Sequence, residues 1–304
     1  MITIDLFIPS YHRPDNVKTL KTMLNLGWDA RHIYIVIDSE ADDKVEYEEL
    51  CAKVGCNLEV FDMDEARKRY DYVHRPSKAR RSCGQARNMF QDIARAKGID
   101  FYIVQDDDTQ NMQYKCFGRY KRMATSDDLE RVVYSVKEMM KRRKIGLFGL
   151  SQTGDCFQVP YEKLIRYKVM NFTFYNLPYI YRGERGVQDE DTAMFVGALN
   201  EGYFTGSCAD GLILQQMPSA KQRGGLTDLY KENKLVNKAL VCTIMYPSAI
   251  HAERQVMNGN RIHHRIEYNY LMPKVMKGKR SNIEWDAYPE DVPFTNEPRR
   301  RANG

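Results

Sequence analysis

A chain of 304 residues with 43% hydrophobic and 29% charged side chains can bury a full core, which excludes a disordered or low-complexity polymer. Its 46 Lys plus Arg against 41 Asp plus Glu leave a net charge of +5, too mild in itself to require a polyanionic partner. Seven scattered cysteines without a CxxC pair exclude a zinc ribbon or a dense disulfide framework and fit a reducing compartment. No apolar run approaches the ~20 residues that span a bilayer, and Met1 leads straight into a strand with no room for a signal peptide. The expectation is a soluble protein, cytoplasmic and not secreted.

Ile2 to Ile8 reads as a strand, followed by the turn-rich Pro9-Ser10-Tyr11-His12-Arg13-Pro14. Asp15 is expected to cap a helix to Leu26 with Val17, Leu20, Met23 and Leu24 on one face. Ile33 to Ile37 is a continuous apolar run, as in a buried parallel strand, and it ends at Asp38. Helical spacing over Asp43 to Val54 and a third strand over Asn57 to Phe61 complete a strand–helix alternation that predicts a doubly wound sheet. Glu65 to Ser82 is basic and reads as a long loop. A helix from Gly84 to Lys97, a strand from Phe101, a helix from Ser126 to about Lys144 and a strand from Ile145 to Leu150 follow. The second half is less regular. It shows aromatic strands over Val169 to Tyr175, a helix from Asp189 to Asn200, strands near Tyr203 and over Leu212 to Met217, and a Pro- and charge-rich tail from Met272.

The Phe101 strand ends in Asp106, Asp107 and Asp108. Three adjacent carboxylates repel one another, so a cation is the natural reason to keep them together. Mg²⁺ or Mn²⁺ takes one or two carboxylates and completes its shell with phosphate oxygens, and the carboxyl ends of strands are where open α/β sheets bind ligands. A solvated acidic turn is the plain alternative. Asp38 ends a neighbouring strand and can accept from a base or ribose, or can equally serve as a turn or cap carboxylate. Gly84-Gln85-Ala86-Arg87-Asn88 opens a helix whose N–H groups, with Arg80, Arg81 and Arg87, suit a departing diphosphate. Asp189-Glu190-Asp191 exceeds what capping requires at a helix start, and one of these acids can take a proton from an attacking hydroxyl. Gln222-Arg223-Gly224-Gly225 is a turn where backbone can approach a ligand. Among the late histidines, His251 is a candidate to complete a metal shell, although His251, His263 and His264 lack ligand spacing. No P-loop, GxGxxG, GxSxG or HExxH occurs.

This ordered set resembles a GT-A glycosyltransferase: Ile8 to Pro14 is similar to its first strand and loop, Asp38 to its second-strand acid, Asp106–Asp108 to its DXD motif and Glu190-Asp191 to its ED motif. The closer resemblance is to the TET/JBP-associated glycosyltransferases, relatives of the base J enzymes, through Asp106–Asp108, Glu190-Asp191-Thr192, Arg223-Gly224-Gly225 and Arg261-Ile262-His263-His264-Arg265. That resemblance implies a GT-A-like, Rossmann-type α/β fold, a mostly parallel sheet flanked by helices with a mixed α+β acceptor-side half. It implies one domain: a nucleotide-sugar half over 1–125, an acceptor half over 126–270 and a basic extension over 271–304. It also implies transfer from a nucleotide sugar, a UDP-sugar above all, to a hydroxymethylated pyrimidine in DNA, of the phage type and with inversion. Mn²⁺ or Mg²⁺ would be held by Asp108 and Asp106, with His251 as a further ligand. Pro9, Ser10, Tyr11, Arg13, Asp38, Arg80, Arg87, Asp106 and Asp107 would bind the donor, and Asp191 with Glu190 would be catalytic. Arg182, Arg185, Arg223, Gly224, Gly225, His263, His264 and Arg265 would face the acceptor DNA. A polysaccharide or protein acceptor, or a non-catalytic DNA-binding module on the same fold, are the other expectations.

Overall fold

The computed structural model describes residues 1–72, 83–116, 120–152, 165–166, 168–169, 171–180, 183–186, 189–208, 211–216, 239–255 and 261–271. Strands β1 (Asp5–Pro9), β2 (Ile33–Asp38), β3 (Asn57–Phe61) and β4 (Phe101–Val104) are parallel in the order β3-β2-β1-β4. The continuous apolar runs of β1, β2 and β4 follow from burial on both faces, whereas β3, at the end of the sheet, is more polar and buries only Phe61. Leu6, Ile8, Ile33, Ile35, Ile37, Phe101 and Ile103 pack with helices α1 (Lys18–Asn25), α2 (Lys44–Val54) and α5 (Ser126–Arg143). The alternate residues Phe7, Val36, Tyr102 and Val104 pack with α3 (Met63–Arg69), α4 (Cys83–Ala96) and α6 (Glu190–Asn200).

Beyond β4 the sheet turns mixed. β9 (Asn171–Asn176) runs antiparallel to β4 and to β7 (Ile145–Gln152), and β10 (Phe204–Cys208) and β11 (Gly211–Gln216) lie parallel to β7. β5 (Thr109–Cys116) adds antiparallel to β11, and β6 (Tyr120–Met123) to β5. The short β8 (Ile165–Arg166) pairs with β10. A separate hairpin joins β12 (Ile250–Gln255) to β13 (Arg261–Ile266).

Several expectations are corrected. Asp15 caps nothing: Pro14–Asn16 forms a 3-10 turn, and α1 starts only at Lys18 behind Val17, which makes no side-chain cap. The basic stretch beginning at Glu65 is helical as far as Arg69, because the Asp62 carboxylate accepts from the Glu65 N–H at 3.0 Å. β5 and β6 stand where no strand was expected, since both are short on apolar residues and β5 alternates only Met112, Tyr114 and Cys116 in a polar run. The β12–β13 hairpin was also not expected. The tail from Met272 lies outside the described residues.

One glycine sets a hard limit on β7. A Cβ on Gly146 would sit 1.6 Å from the Tyr179 carbonyl oxygen, a backbone atom that cannot swing away. Gly146→Ala should therefore cost about 3 kcal/mol or more, read as a lowered denaturant midpoint; an unchanged midpoint would refute that close approach.

Candidate active site

The acidic loop is held by hydrogen bonds from two sides. Gln105, 1% exposed, spans it: its Nε2 donates to the Thr109 hydroxyl at 2.6 Å, and its Oε1 accepts from the Phe172 N–H at 2.7 Å. Phe172 sits at φ +44°, a left-handed conformation unusual for an aromatic residue in a strand, so that hydrogen bond holds a strained point in β9. Helix α1 grips the loop from the other side. The Thr19 N–H donates to the Asp107 carbonyl at 3.2 Å, its hydroxyl donates to the Asp106 carbonyl, and the Thr109 N–H donates back to that hydroxyl at 3.0 Å. The Thr22 hydroxyl lies 3.0 Å from the carbonyls of Thr109 and Gln110.

The three aspartates are not equivalent. Asp107 is buried and turned to the first loop, where Arg13 donates to it at 2.7 Å and the Ser10 hydroxyl at 2.8 Å. Ser10 and the Arg13 backbone N–H also meet the Tyr47 hydroxyl at 2.8 and 3.1 Å, and burial pushes that phenol up to about 12. Burial pushes Asp107 up to about 6 even though Arg13 and Ser10 pull the other way. A carboxyl raised above its unfolded value contributes stability that is whole below pH ~4 and is lost as pH rises through about 6. Without added metal, wild type should lose roughly 3 kcal/mol relative to Asp107→Asn across that window; parallel stability–pH curves for the two proteins would overturn this.

Asp106 and Asp108 are half-buried. They form an all-oxygen, hard donor set beside a buried loop, chemistry that fits Mg²⁺ or Mn²⁺ and not a soft metal. Asp106 accepts from Arg87 at 2.9 Å, and Arg87 reaches Glu190 at 3.4 Å and Glu184 at 3.8 Å. Burial opposes the charge on Arg87, but Asp106, Glu184 and Glu190 together hold it firmly protonated. One guanidinium on α4 thus links the acidic loop to the start of α6.

That start is shaped by a second set of contacts. Glu184 and Asn88 exchange two hydrogen bonds, Glu184 N–H to Oδ1 at 2.7 Å and Asn88 Nδ2 to the Glu184 carbonyl at 3.1 Å. The Tyr70 hydroxyl donates to the Gly186 carbonyl at 2.7 Å, and Gly84 leaves the space that ring needs. Asp189 precedes α6 at φ +58° and offers it no side-chain cap; instead its carboxylate lies 3.0 Å from Nδ1 of His264 on β13. Glu190 is buried, and Asp191 is half-buried with Oδ1 accepting from the Thr192 N–H at 2.7 Å.

A family model described as TET-Associated Glycosyltransferase (TAGT) matches residues 4–225. The chain belongs to that family. It is a glycosyltransferase, and its fold is α/β, a sheet with a parallel first half flanked by helices. Among solved structures, glucosyl-3-phosphoglycerate synthase from Mycobacterium tuberculosis, in complex with Mn²⁺, UDP-glucose and phosphoglyceric acid, is similar at 11% identity over 88% of this chain and 90% of that one, TM-score 0.44. The same enzyme with UDP gives 11% identity over 87% and 86%, TM-score 0.45. The 4-diphosphocytidyl-2C-methyl-D-erythritol synthase of Anaerococcus prevotii gives 10% over 77% and 96%, TM-score 0.41. No curated protein matches the chain.

In this TAGT-family glycosyltransferase, Pro9 ends β1 and Ser10, Tyr11 and Arg13 follow in the loop, with Tyr11 against the His12 ring at 3.8 Å between centroids. Asp38 is buried, and its Oδ1 accepts from the Glu40 N–H at 2.9 Å, so one oxygen serves the turn reading. Arg185 is tied to Asp71 at 2.5 and 2.9 Å. Arg265 pairs with Glu253 and Glu267 at 3.5 and 3.0 Å, and His263 Nδ1 lies 3.1 Å from the His264 carbonyl. His251 is exposed on β12 opposite Arg265, whereas His264 is the histidine brought to the start of α6. Arg80, Arg81, Arg182, Arg223, Gly224 and Gly225 lie outside the described residues. Thr19, Thr22, Gln105 and Glu184 were missed. Only the position of Gln105 directly before the acids offered a signal; the others meet the site through the fold.

Another set of ligand-type atoms, on His12, Asp42 and Asp43, lies within 4.8 Å of one another near the first loop. No helix among the described residues is long and apolar enough to cross a membrane.

Proposed function

We propose that this glycosyltransferase moves a sugar from a UDP-sugar to a hydroxymethylated pyrimidine base in DNA, with inversion and with Mn²⁺ or Mg²⁺, as in phage-type DNA modification. The observation that carries the donor half is the Arg87 bridge: Asp106 at 2.9 Å and Glu190 at 3.4 Å share one guanidinium, so the acidic loop and the ED acids frame one space. The family membership supports the acceptor half, joined by the late His/Arg stretch on the β13 strand.

In this reading residues 1–125 hold the donor and 126–270 the acceptor. Asp108, with Asp106, holds the cation, which when bound supplies Lewis-acid neutralisation of the departing diphosphate. Asp107 keeps the first loop closed through Arg13 and Ser10, leaving Pro9 and Tyr11 to meet the base. Arg87 adds positive charge beside the diphosphate. Asp191 takes the proton of the acceptor hydroxyl as it attacks the anomeric carbon, a single displacement. A base within duplex DNA would be flipped out to reach it, and the basic stretch Arg261–Arg265 would meet phosphates.

The test is incubation of labelled UDP-sugars and Mn²⁺ with plain DNA, hydroxymethylated DNA and a polysaccharide. Label in the hydroxymethylated DNA, weakening steeply with salt, is expected; label in the polysaccharide alone would remove the DNA assignment.

A further inference from the structure

Arg87, only 10% exposed at its side chain, is set among acids. Its three carboxylates stand at graded distances: Asp106 at 2.9 Å, Glu190 at 3.4 Å and Glu184 at 3.8 Å. Glu184 is 2% exposed. Its Oε1 accepts from the Tyr175 hydroxyl at 3.1 Å, while its Oε2 is buried and accepts no hydrogen bond among the described residues. Nε of Arg87 is likewise buried without an acceptor. A buried carboxylate oxygen is costly to leave unmet, and a donor held just beyond hydrogen-bond range from it is a contact waiting to be made.

We propose that Glu184 is a positioning residue, a second seat for the Arg87 guanidinium: when a divalent cation takes Asp106, Arg87 is drawn back onto Oε2 of Glu184 and keeps its hold on Glu190. This rests on the donor-site reading above. A cation and a guanidinium would both draw on the Asp106 carboxylate, and two like charges on one carboxylate repel. An arginine with nowhere else to go would oppose metal loading. With Glu184 behind it, Arg87 retreats by about 1 Å, the gap between 3.8 Å and a normal contact. Donor loading is thereby passed to the acid at the start of α6 without any backbone movement. The surroundings hold Glu184 in place for this task, since both its backbone groups are bonded to the Asn88 side chain. Burial also pushes its carboxyl well above the usual range, a cost that the arriving guanidinium would offset.

The test uses Mn²⁺·UDP binding by calorimetry and donor hydrolysis kinetics on the full chain. Glu184→Leu should weaken Mn²⁺·UDP about tenfold and raise the donor KM alike, with kcat within twofold of wild type. Glu184→Gln, whose amide oxygen still accepts, should recover most of that loss. A merely structural role would lower kcat through the active fraction and leave KM alone. Equal affinity of wild type and Glu184→Leu, or a Gln variant no better than Leu, would overturn the proposal. A second arm needs no metal or nucleotide. In protein with ¹⁵N-labelled arginine, Asp106→Asn should displace the Arg87 Nε–H resonance, and adding Glu184→Leu should abolish that displacement. If wild type binds no Mn²⁺·UDP, the donor-site reading falls, and this second arm alone decides on Glu184: no displacement overturns it.

Discussion

Asp108→Ala should lower UDP-sugar turnover by about 10³-fold while the protein remains folded. A loss of that size is about 4 kcal/mol of transition-state stabilisation, the order expected when the cation that neutralises a departing diphosphate loses its main ligand. Asp108 is half-buried and its loop is held by hydrogen bonds from Thr19, Thr22 and Gln105, none of which involves the Asp108 side chain. Removing one of three adjacent negative charges relieves repulsion, so the melting temperature should hold or rise slightly. Mn²⁺-dependent hydrolysis of a UDP-sugar, measured beside a thermal melt, checks both halves. Full turnover in a folded Asp108→Ala protein would end the metal assignment.

Asp191→Asn should leave donor affinity within about twofold and lower transfer by about 10³-fold, inside the range that a positioned general base supplies. The substitution is mild in structure because an asparagine oxygen can still accept from the Thr192 N–H, the contact that Asp191 makes at 2.7 Å. What is lost is the ability to hold a proton. Single-turnover transfer and calorimetry of Mn²⁺·UDP separate the two effects. A normal rate of transfer would send the search for the base to the neighbouring acids. A parallel loss of donor affinity would move Asp191 to the donor side.

Where burial is two-sided the chain announces itself. The runs at β1, β2 and β4 are apolar without interruption because helices cover both faces, and all three strands were legible, as was the family to which the acids belong. β5 was not, because its neighbours in the sheet come from residues about 100 positions away in β11. Helix α3 was hidden by its charge: Arg67 and Arg69 looked like loop until Glu40 and Asp92 were seen to receive them. Within the site, the difference between Asp107 and its two neighbours is invisible in a run of identical letters. Only the first loop, brought over by β1 beside β4, shows which carboxylate faces Arg13. Glu184 carries no motif at all, and its link to Arg87 spans 97 positions of chain that only folding closes.

The grip of α1 on the acidic loop also bears on how the enzyme would recycle. Two threonine hydroxyls fasten the carbonyls of residues 106, 109 and 110 to a helix whose other face is sunk in the core. The cradle's outline is therefore fixed by contacts within the polypeptide. Under the proposed function, a spent nucleotide that carried a cation away would leave these threonine contacts intact, and the next donor would meet a mould already set.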